Sequence, residues 1–216
     1  MRYFIGQPDK PDYLVCTNTS DYPPHSNFLA SQAKTVIACD GAIAHCAKHG
    51  ISPDMVIGDF DSCSSPDATM PCMLDQDQNS TDAEKALRYI TDKSPINQPR
   101  VVVVGLGCGR FDHGLYHLKL LYEFTPAFAS LDWLGAVDHC HLVDASCILQ
   151  GRDGQRVSLF APWGNAVVTL PNARYPVAGY RLSMDGNSSL SNAFIGDRFT
   201  LEIISGAVLV CADLSI

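Results

Sequence analysis

The chain has 216 residues, 46% of them hydrophobic, and a formal net charge of −8 at pH 7. That length fits one large domain or two small ones with a real core. The acidic balance argues against nucleic acid or an anionic membrane surface as the main partner, and no apolar run reaches the ~18 residues of a membrane span. Met1 to Pro11 is broken by Gly6, Pro8 and Pro11, with no apolar signal-peptide core. Nine scattered cysteines, odd in number and without a Cys-x-x-Cys pair, argue against a zinc ribbon or a disulfide framework. They read as reduced thiols of a cytoplasmic protein, used as small apolar residues.

In chain order, Tyr13–Cys16 and Val36–Cys39 read as strands, the second running into Asp40. Ala42–His49 reads as a helix closed by Gly50. Met55–Ile57 is a buried strand, followed by Gly58, Asp59, Phe60 and Asp61. In extended backbone, residues i and i+2 point to one side, so Asp59 and Asp61 are expected to face one space. Like charges there call for a proton or cation between them. A hard, oxygen-seeking ion such as Mg²⁺ suits the place. Thr81-Asp82-Ala83-Glu84 is a capping-box pattern that opens a helix to about Thr91. The unbroken run Val101–Val104 predicts a parallel strand covered on both faces. A helix follows from about Asp112 to Phe124, with Leu115, Leu118 and Tyr122 on one face and Pro126 as its stop.

Strand and helix alternate to this point, which predicts a parallel α/β sheet. Thereafter short strand candidates crowd together: His141–Val143, Cys147–Leu149, Val157–Phe160, Ala166–Leu170, Phe199–Ile203 and Ala207–Cys211. Turn signals separate them, which predicts a sandwich or barrel. The expected fold class is therefore α/β: a parallel-sheet α/β domain over residues 1–138, then a small all-β sandwich over 139–216.

Four clusters fall at strand ends or helix starts, where open α/β sheets bind ligands. They are Asp40-Gly41-Ala42, Asp59 to Ser62, Asp75 to Asp82, and Gly105 to His113. In the last, glycines allow close backbone approach, a helix N-terminus follows, and Arg110 can fork onto phosphate oxygens. Taken singly, Asp40 reads as a helix N-cap, and Asp75 and Asp77 as a solvated loop. Jointly, the clusters predict a metal-phosphate site. His113 and His117 stand at i and i+4, but without a third ligand His117 reads as a surface or packing residue. His139 and His141 share a strand face with no evident partner, and Trp133 and Trp163 read as core or turn packing.

These elements, in this order, resemble the thiamine pyrophosphokinase family. Its Pro-Asp-x-x-x-Gly-Asp-x-Asp-Ser motif stands here as Pro53 to Ser62, and its Thr-Asp-x-x-Lys-Ala as Thr81 to Ala86. Its Gly-x-x-Gly-Gly-Arg-x-Asp-His stands as Gly105 to His113, with Cys108 in place of the first glycine of the pair. Its Gly-Leu-Lys-Trp-Pro-Leu looks like Asn172 to Val177, where Tyr175 replaces Trp, and its Ser-x-Ser-Asn like Ser189 to Asn192.

The resemblance implies transfer of pyrophosphate from ATP to the hydroxyl of thiamine, giving thiamine diphosphate and AMP with Mg²⁺. By it, Asp59, Asp61 and Asp82 hold the metal, and these three with Arg110 and Asp112 form the catalytic set. Asp40, Thr81, Lys85, Arg110 and His113 serve ATP, and Tyr175, Ser191 and Asn192 serve thiamine. It also implies a homodimer whose site uses both subunits. Two other readings of the residues remain: a metal-dependent nucleotide phosphohydrolase, and a non-catalytic nucleotide- or thiamine-binding sensor.

Overall fold

The structure is a computed structural model, and it describes residues 2–5, 8–19, 22–60, 70–106 and 110–214, with Arg2 and Phe4 as backbone only. Packing divides the chain into two compact units, Lys10–Ala136 and a second made of Met1–Asp9 with Val137–Ile216. The first nine residues thus group with the β-rich part, whereas the division at 138 counts them with the α/β part. The reason is that β1 (Arg2–Phe4) pairs in parallel far down the chain, Arg2 opposite Ile148 and Phe4 opposite Gln150.

Lys10–Ala136 contains β2 (Tyr13–Cys16), α1 (Ser26–Gln32), β3 (Thr35–Cys39), α2 (Ile43–Lys48), β4 (Met55–Gly58) and β5 (Cys72–Leu74). Then come α3 (Asp82–Lys93), β6 (Arg100–Val104), α4 (Phe111–Phe124) and β7 (Ser130–Leu134). The strand order is β7-β6-β2-β3-β4-β5, and every neighbouring pair is parallel. Val101 to Val104 are all 0–1% exposed, as a strand covered on both faces requires. Three elements escaped the sequence reading: α1 is short and has no side-chain N-cap, β5 is a half-exposed edge strand, and β7 carries Asp132 within its apolar run.

The chain steps outward from β2 through β3, β4 and β5, then returns to the other side of β2 as β6. The two directions part between β2 and β6, where the carboxyl ends of such sheets open a ligand crevice. Thr17, just past β2, ties the two strands there. Its backbone N–H donates to Val104 O at 3.1 Å, and its Oγ1 to the same oxygen at 3.0 Å. Gly105 turns the chain with φ of 107°, and a Cβ on it would lie 2.2 Å from Thr17 Oγ1. Only glycine meets both conditions.

Helix α4 corrects one expectation. Leu115 and Tyr122, placed on one predicted face, are 52% and 46% exposed. The buried face is instead His117, Leu120, Leu121 and Phe124. A 3₁₀ turn at Thr125–Ala127, with Pro126 inside it, ends the helix.

The other unit is the expected sandwich. Its strands after β1 are β8 (Asp138–Val143), β9 (Cys147–Gln150), β10 (Arg156–Phe160), β11 (Asn165–Leu170), β12 (Val177–Ser183), β13 (Ser189–Ala193), β14 (Arg198–Ser205) and β15 (Val208–Asp213). The order β1-β9-β14-β11-β12 forms one sheet, and β13-β10-β15-β8 run side by side in another. Leu149, Val168, Phe199 and Leu201 from the first share a core with Val143, Val157, Leu159, Val208 and Val210 from the second. β12 and β13 went unread because the first holds Gly179 and is mostly exposed, and the second is polar. Cys140 and Cys211 face each other across paired strands, Sγ to Sγ 3.4 Å, as free thiols.

Candidate active site

A cavity of about 380 Å³ lies at the crevice of the Lys10–Ala136 unit. Asp59, Thr81, Asp82, Lys85, Arg110 and His113 all line it. The sequence places these there from three separate segments; Asp40 and Asp112, expected with them, are not among the lining residues. Thr17, Asn18, Asp77, Gln78 and His117 line it as well and were not assigned to the site from sequence. Their signal was position: Thr17 and Asn18 follow β2, and Asp77 and Gln78 sit in the acidic loop before α3.

Asp40 is not the N-cap that its place suggests. It begins a 3₁₀ turn, Asp40–Ala42, whose N-cap position is Cys39, and α2 starts after it with Ala42 as N-cap. It is 1% exposed. Its side chain packs against Gly58, where an added Cβ would lie 2.6 Å from the Asp40 Cβ. The glycine before Asp59 therefore makes room for another acid of the site.

β4 ends at Gly58, and Phe60 takes φ of 60°. The extended-backbone argument that pairs Asp59 with Asp61 therefore stops at Asp59, because the residue between them is left-handed. Asp61 lies outside the described residues, as do Gly107, Cys108 and Gly109 of the glycine loop. Asp59 Oδ2 accepts a hydrogen bond from Gln78 Nε2 at 2.7 Å. Asp77 organises the loop instead of meeting only solvent: it accepts from Asn79 N at 2.9 Å and Ser80 Oγ at 2.7 Å.

Half of the capping box forms. Thr81 Oγ1 accepts from Glu84 N at 3.3 Å. Glu84 does not reach back; Arg88 and Tyr116 both donate to its carboxylate, which is buried. The capped N-terminus of α3 faces the cavity with Thr81, Asp82 and Ala83, an arrangement that favours anions. On the next turn Lys85, 3% exposed, places Nζ 3.1 Å from Asp82 Oδ1. Burial raises the pKa of Asp82, Lys85 opposes the rise, and the charges of Asp40 and Asp59 add to it. Three carboxylates thus share one field. That repulsion disfavours the charged form of Asp82.

At the start of α4, Arg110 forks onto Asp112, Nε to Oδ1 3.2 Å and Nη2 to Oδ2 2.5 Å. Both are exposed. That bond holds the Asp112 pKa down to about 2. His113 donates its backbone N–H to Asp112 Oδ1 at 3.0 Å. His113 and His117 stand edge to face, 6.3 Å between centroids. His117 is no surface residue: it is 5% exposed and stacks on Trp133 at 4.4 Å and 21°. Trp133 is fully buried, as expected of a core residue.

In the β unit, Tyr175 is 62% exposed. Asn192 is 2% exposed and committed to its neighbours. Its Oδ1 accepts from Tyr175 N at 3.0 Å, and its Nδ2 donates to Tyr175 O at 2.9 Å. Its carboxamide therefore holds the Tyr175 segment. Ser191 is exposed with φ of 54°, and its N–H donates to Ser158 Oγ at 3.0 Å. It borders a second cavity of about 260 Å³ with Asp138, Arg156, Cys211 and Asp213.

The fold is shared with solved thiamin pyrophosphokinases. The enzyme from Bacillus subtilis superposes with a TM-score of 0.80 over 94% of this chain and 100% of its own, at 18% identity. Yeast thiamin pyrophosphokinase gives 0.79 over 98% and 90%, at 16% identity, and that from Candida albicans 0.79 over 99% and 92%, at 13%. No curated protein matches the chain by sequence. Residues 27–131 match the family model described as thiamin pyrophosphokinase, catalytic domain. Over residues 27–131, and in its fold, the chain is thus similar to the thiamin pyrophosphokinases.

Proposed function

We propose that this chain transfers the pyrophosphoryl group of ATP to the hydroxyl of thiamine, giving thiamine diphosphate and AMP. One observation carries the reading: Asp59, Asp82, Lys85, Arg110 and His113, drawn from three segments, line one cavity at the β2–β6 crevice. Such a transfer needs positioning and charge neutralisation more than covalent help from the protein.

The donor set fits Mg²⁺, since the clustered groups are carboxylates whose mutual repulsion and burial are recorded in the raised Asp82 pKa. Asp59, Asp61 and Asp82 would hold the ion, which when bound neutralises phosphate charge. Lys85 and Arg110 bind phosphate oxygens, with Thr81 at the α3 N-terminus and Asp40 buried behind Asp59. Asp112 orients Arg110 through its two-point bond. The thiamine hydroxyl oxygen attacks the β-phosphorus, its proton passes to one of the site carboxylates, and AMP leaves.

In the sandwich, Tyr175 offers an exposed aromatic face for a flat cation, Ser191 a hydroxyl, and Asn192 holds the segment. We assign residues 10–136 to ATP and the β unit to thiamine, in a homodimer. The free thiols agree with a cytoplasmic setting, and among the described residues no helix is long and apolar enough to cross a membrane.

The test is incubation with ATP, Mg²⁺ and thiamine, followed by product analysis. Thiamine diphosphate and AMP in equal amounts support the reading. Phosphate released from nucleotide without thiamine indicates a hydrolase, and binding without turnover a sensor; either result overturns it. A monomeric mass by light scattering at micromolar concentration overturns the dimer.

A further inference from the structure

His117 lines the cavity, and the family motifs leave its role open. It lies in the second turn of α4 and is 5% exposed, yet it reaches the cavity that Lys85, Arg110 and His113 line. Its ring lies flat on the fully buried Trp133 at 4.4 Å and 21°, so its plane is fixed by the core. Its Nδ1 is sealed from solvent and makes no hydrogen bond. Burial, with the His113 charge beside it, holds its pKa down to about 4, so the imidazole is neutral at pH 7.

A neutral imidazole carries its proton on one nitrogen. A buried N–H without an acceptor is rarer, and costlier, than a buried acceptor left bare. The proton therefore belongs on Nε2, and Nδ1 keeps its lone pair. Because His117 lines the cavity and its Nδ1 is sealed, Nε2 is the nitrogen left to offer a donor there, beside the cationic Lys85 and Arg110 that suit phosphate. The stack on Trp133 holds the ring plane, so less side-chain freedom is lost when ligand binds.

We propose that His117 binds the phosphate chain of the nucleotide as a fixed, uncharged donor, through Nε2–H to a phosphate oxygen. This rests on the reading of the cavity as the ATP site. It differs from the roles of Lys85 and Arg110, because the bond comes without adding charge to a site that must also hold a cation.

His117→Phe keeps the flat ring on Trp133 and removes the nitrogens. Calorimetric titration with Mg·ATP, with inorganic pyrophosphate and with adenosine separates the possibilities. The expected result is a 10- to 100-fold loss of affinity for ATP and pyrophosphate, the range of one hydrogen bond to a charged group, with adenosine unchanged and the melting temperature close to wild type. His117→Gln, which keeps an N–H donor, should recover part of the loss. In wild type, ¹⁵N imidazole shifts should report the Nε2–H tautomer and move when pyrophosphate is added. Unaltered ATP affinity in His117→Phe, an equal loss for adenosine, or an Nδ1–H tautomer overturns the proposal. If wild type forms no thiamine diphosphate while His117→Phe shows the expected loss for ATP and pyrophosphate, the proposed function fails and this inference stands. If wild type turns over and His117→Phe matches its KM for ATP, the reverse holds.

Discussion

Lys85 places Nζ 3.1 Å from Asp82 Oδ1, one helical turn away, with its own side chain 2% exposed. A lysine buried to that degree is held by its charge partner and by what it faces. Lys85→Met should lower kcat/KM for ATP by about 10- to 100-fold, the range for a lost charge-assisted bond. Because Lys85 opposes the rise in the Asp82 pKa, its removal should push that pKa higher still. The acid limb of the pH–activity profile should then move to higher pH. A profile unchanged in position removes Lys85 from the electrostatics of the site.

Arg110 and Asp112 form a two-point bond while both stay about two-thirds exposed. Exposed pairs contribute little to stability. Arg110→Ala should leave the unfolding free energy close to that of wild type. Activity should nonetheless fall at least ~100-fold, the range lost with one charge-stabilising donor. Calorimetric melting and steady-state kinetics on one preparation check both halves. A large loss of stability would make the pair structural.

His117 gives a signed pH dependence. Its ordinary pKa of 6.5 falls to about 4 in the folded chain. Between those values the unfolded chain takes up a proton that the folded chain refuses. Stability is thus full above pH 6.5 and declines as pH falls toward 4. The loss from this group is on the order of 3 kcal/mol at 1.36 kcal/mol per unit. The stability of wild type relative to His117→Phe, followed by urea unfolding from pH 7 to 4, should fall by that order. A constant difference would mean that His117 titrates normally.

Asn192 and Tyr175 should separate cleanly. Asn192→Ala leaves the Tyr175 backbone N–H and C=O without their partners and should cost about 1–3 kcal/mol. Tyr175→Ala removes an exposed ring and should shift stability by no more than about 0.5 kcal/mol. It should raise the KM for thiamine well above any change for ATP. A thiamine KM that stays put assigns Tyr175 no part in the site.

Much of this was legible before the fold was known. The four-valine strand β6 and the Thr81 cap are local patterns, and they form where the sequence puts them. Helix α4 shows the limit. Leu115, Leu118 and Tyr122 share one face and Leu120, Leu121 and Phe124 another, and both are apolar. Periodicity says which residues share a face, and packing against the sheet chooses which face is covered. That choice turned His117 inward, where no motif had marked it. Likewise the i, i+2 rule for Asp59 and Asp61 presumed an extended Phe60, and a backbone φ of 60° at that residue is set by the turn it must make.

The sequence by itself determined the kinds of element, their order, and the reactive inventory: acids after strands, a capped helix, a basic glycine loop. These are short-range facts of propensity and periodicity. Only the tertiary structure decided that Asp59, Asp82 and Arg110 line one cavity, because β6 returns to the far side of β2 and opens a crevice between distant segments. It alone set the charge states as well. The raised Asp82 and the neutral His117 are consequences of burial and of neighbours, and neither is a property of the residue in isolation.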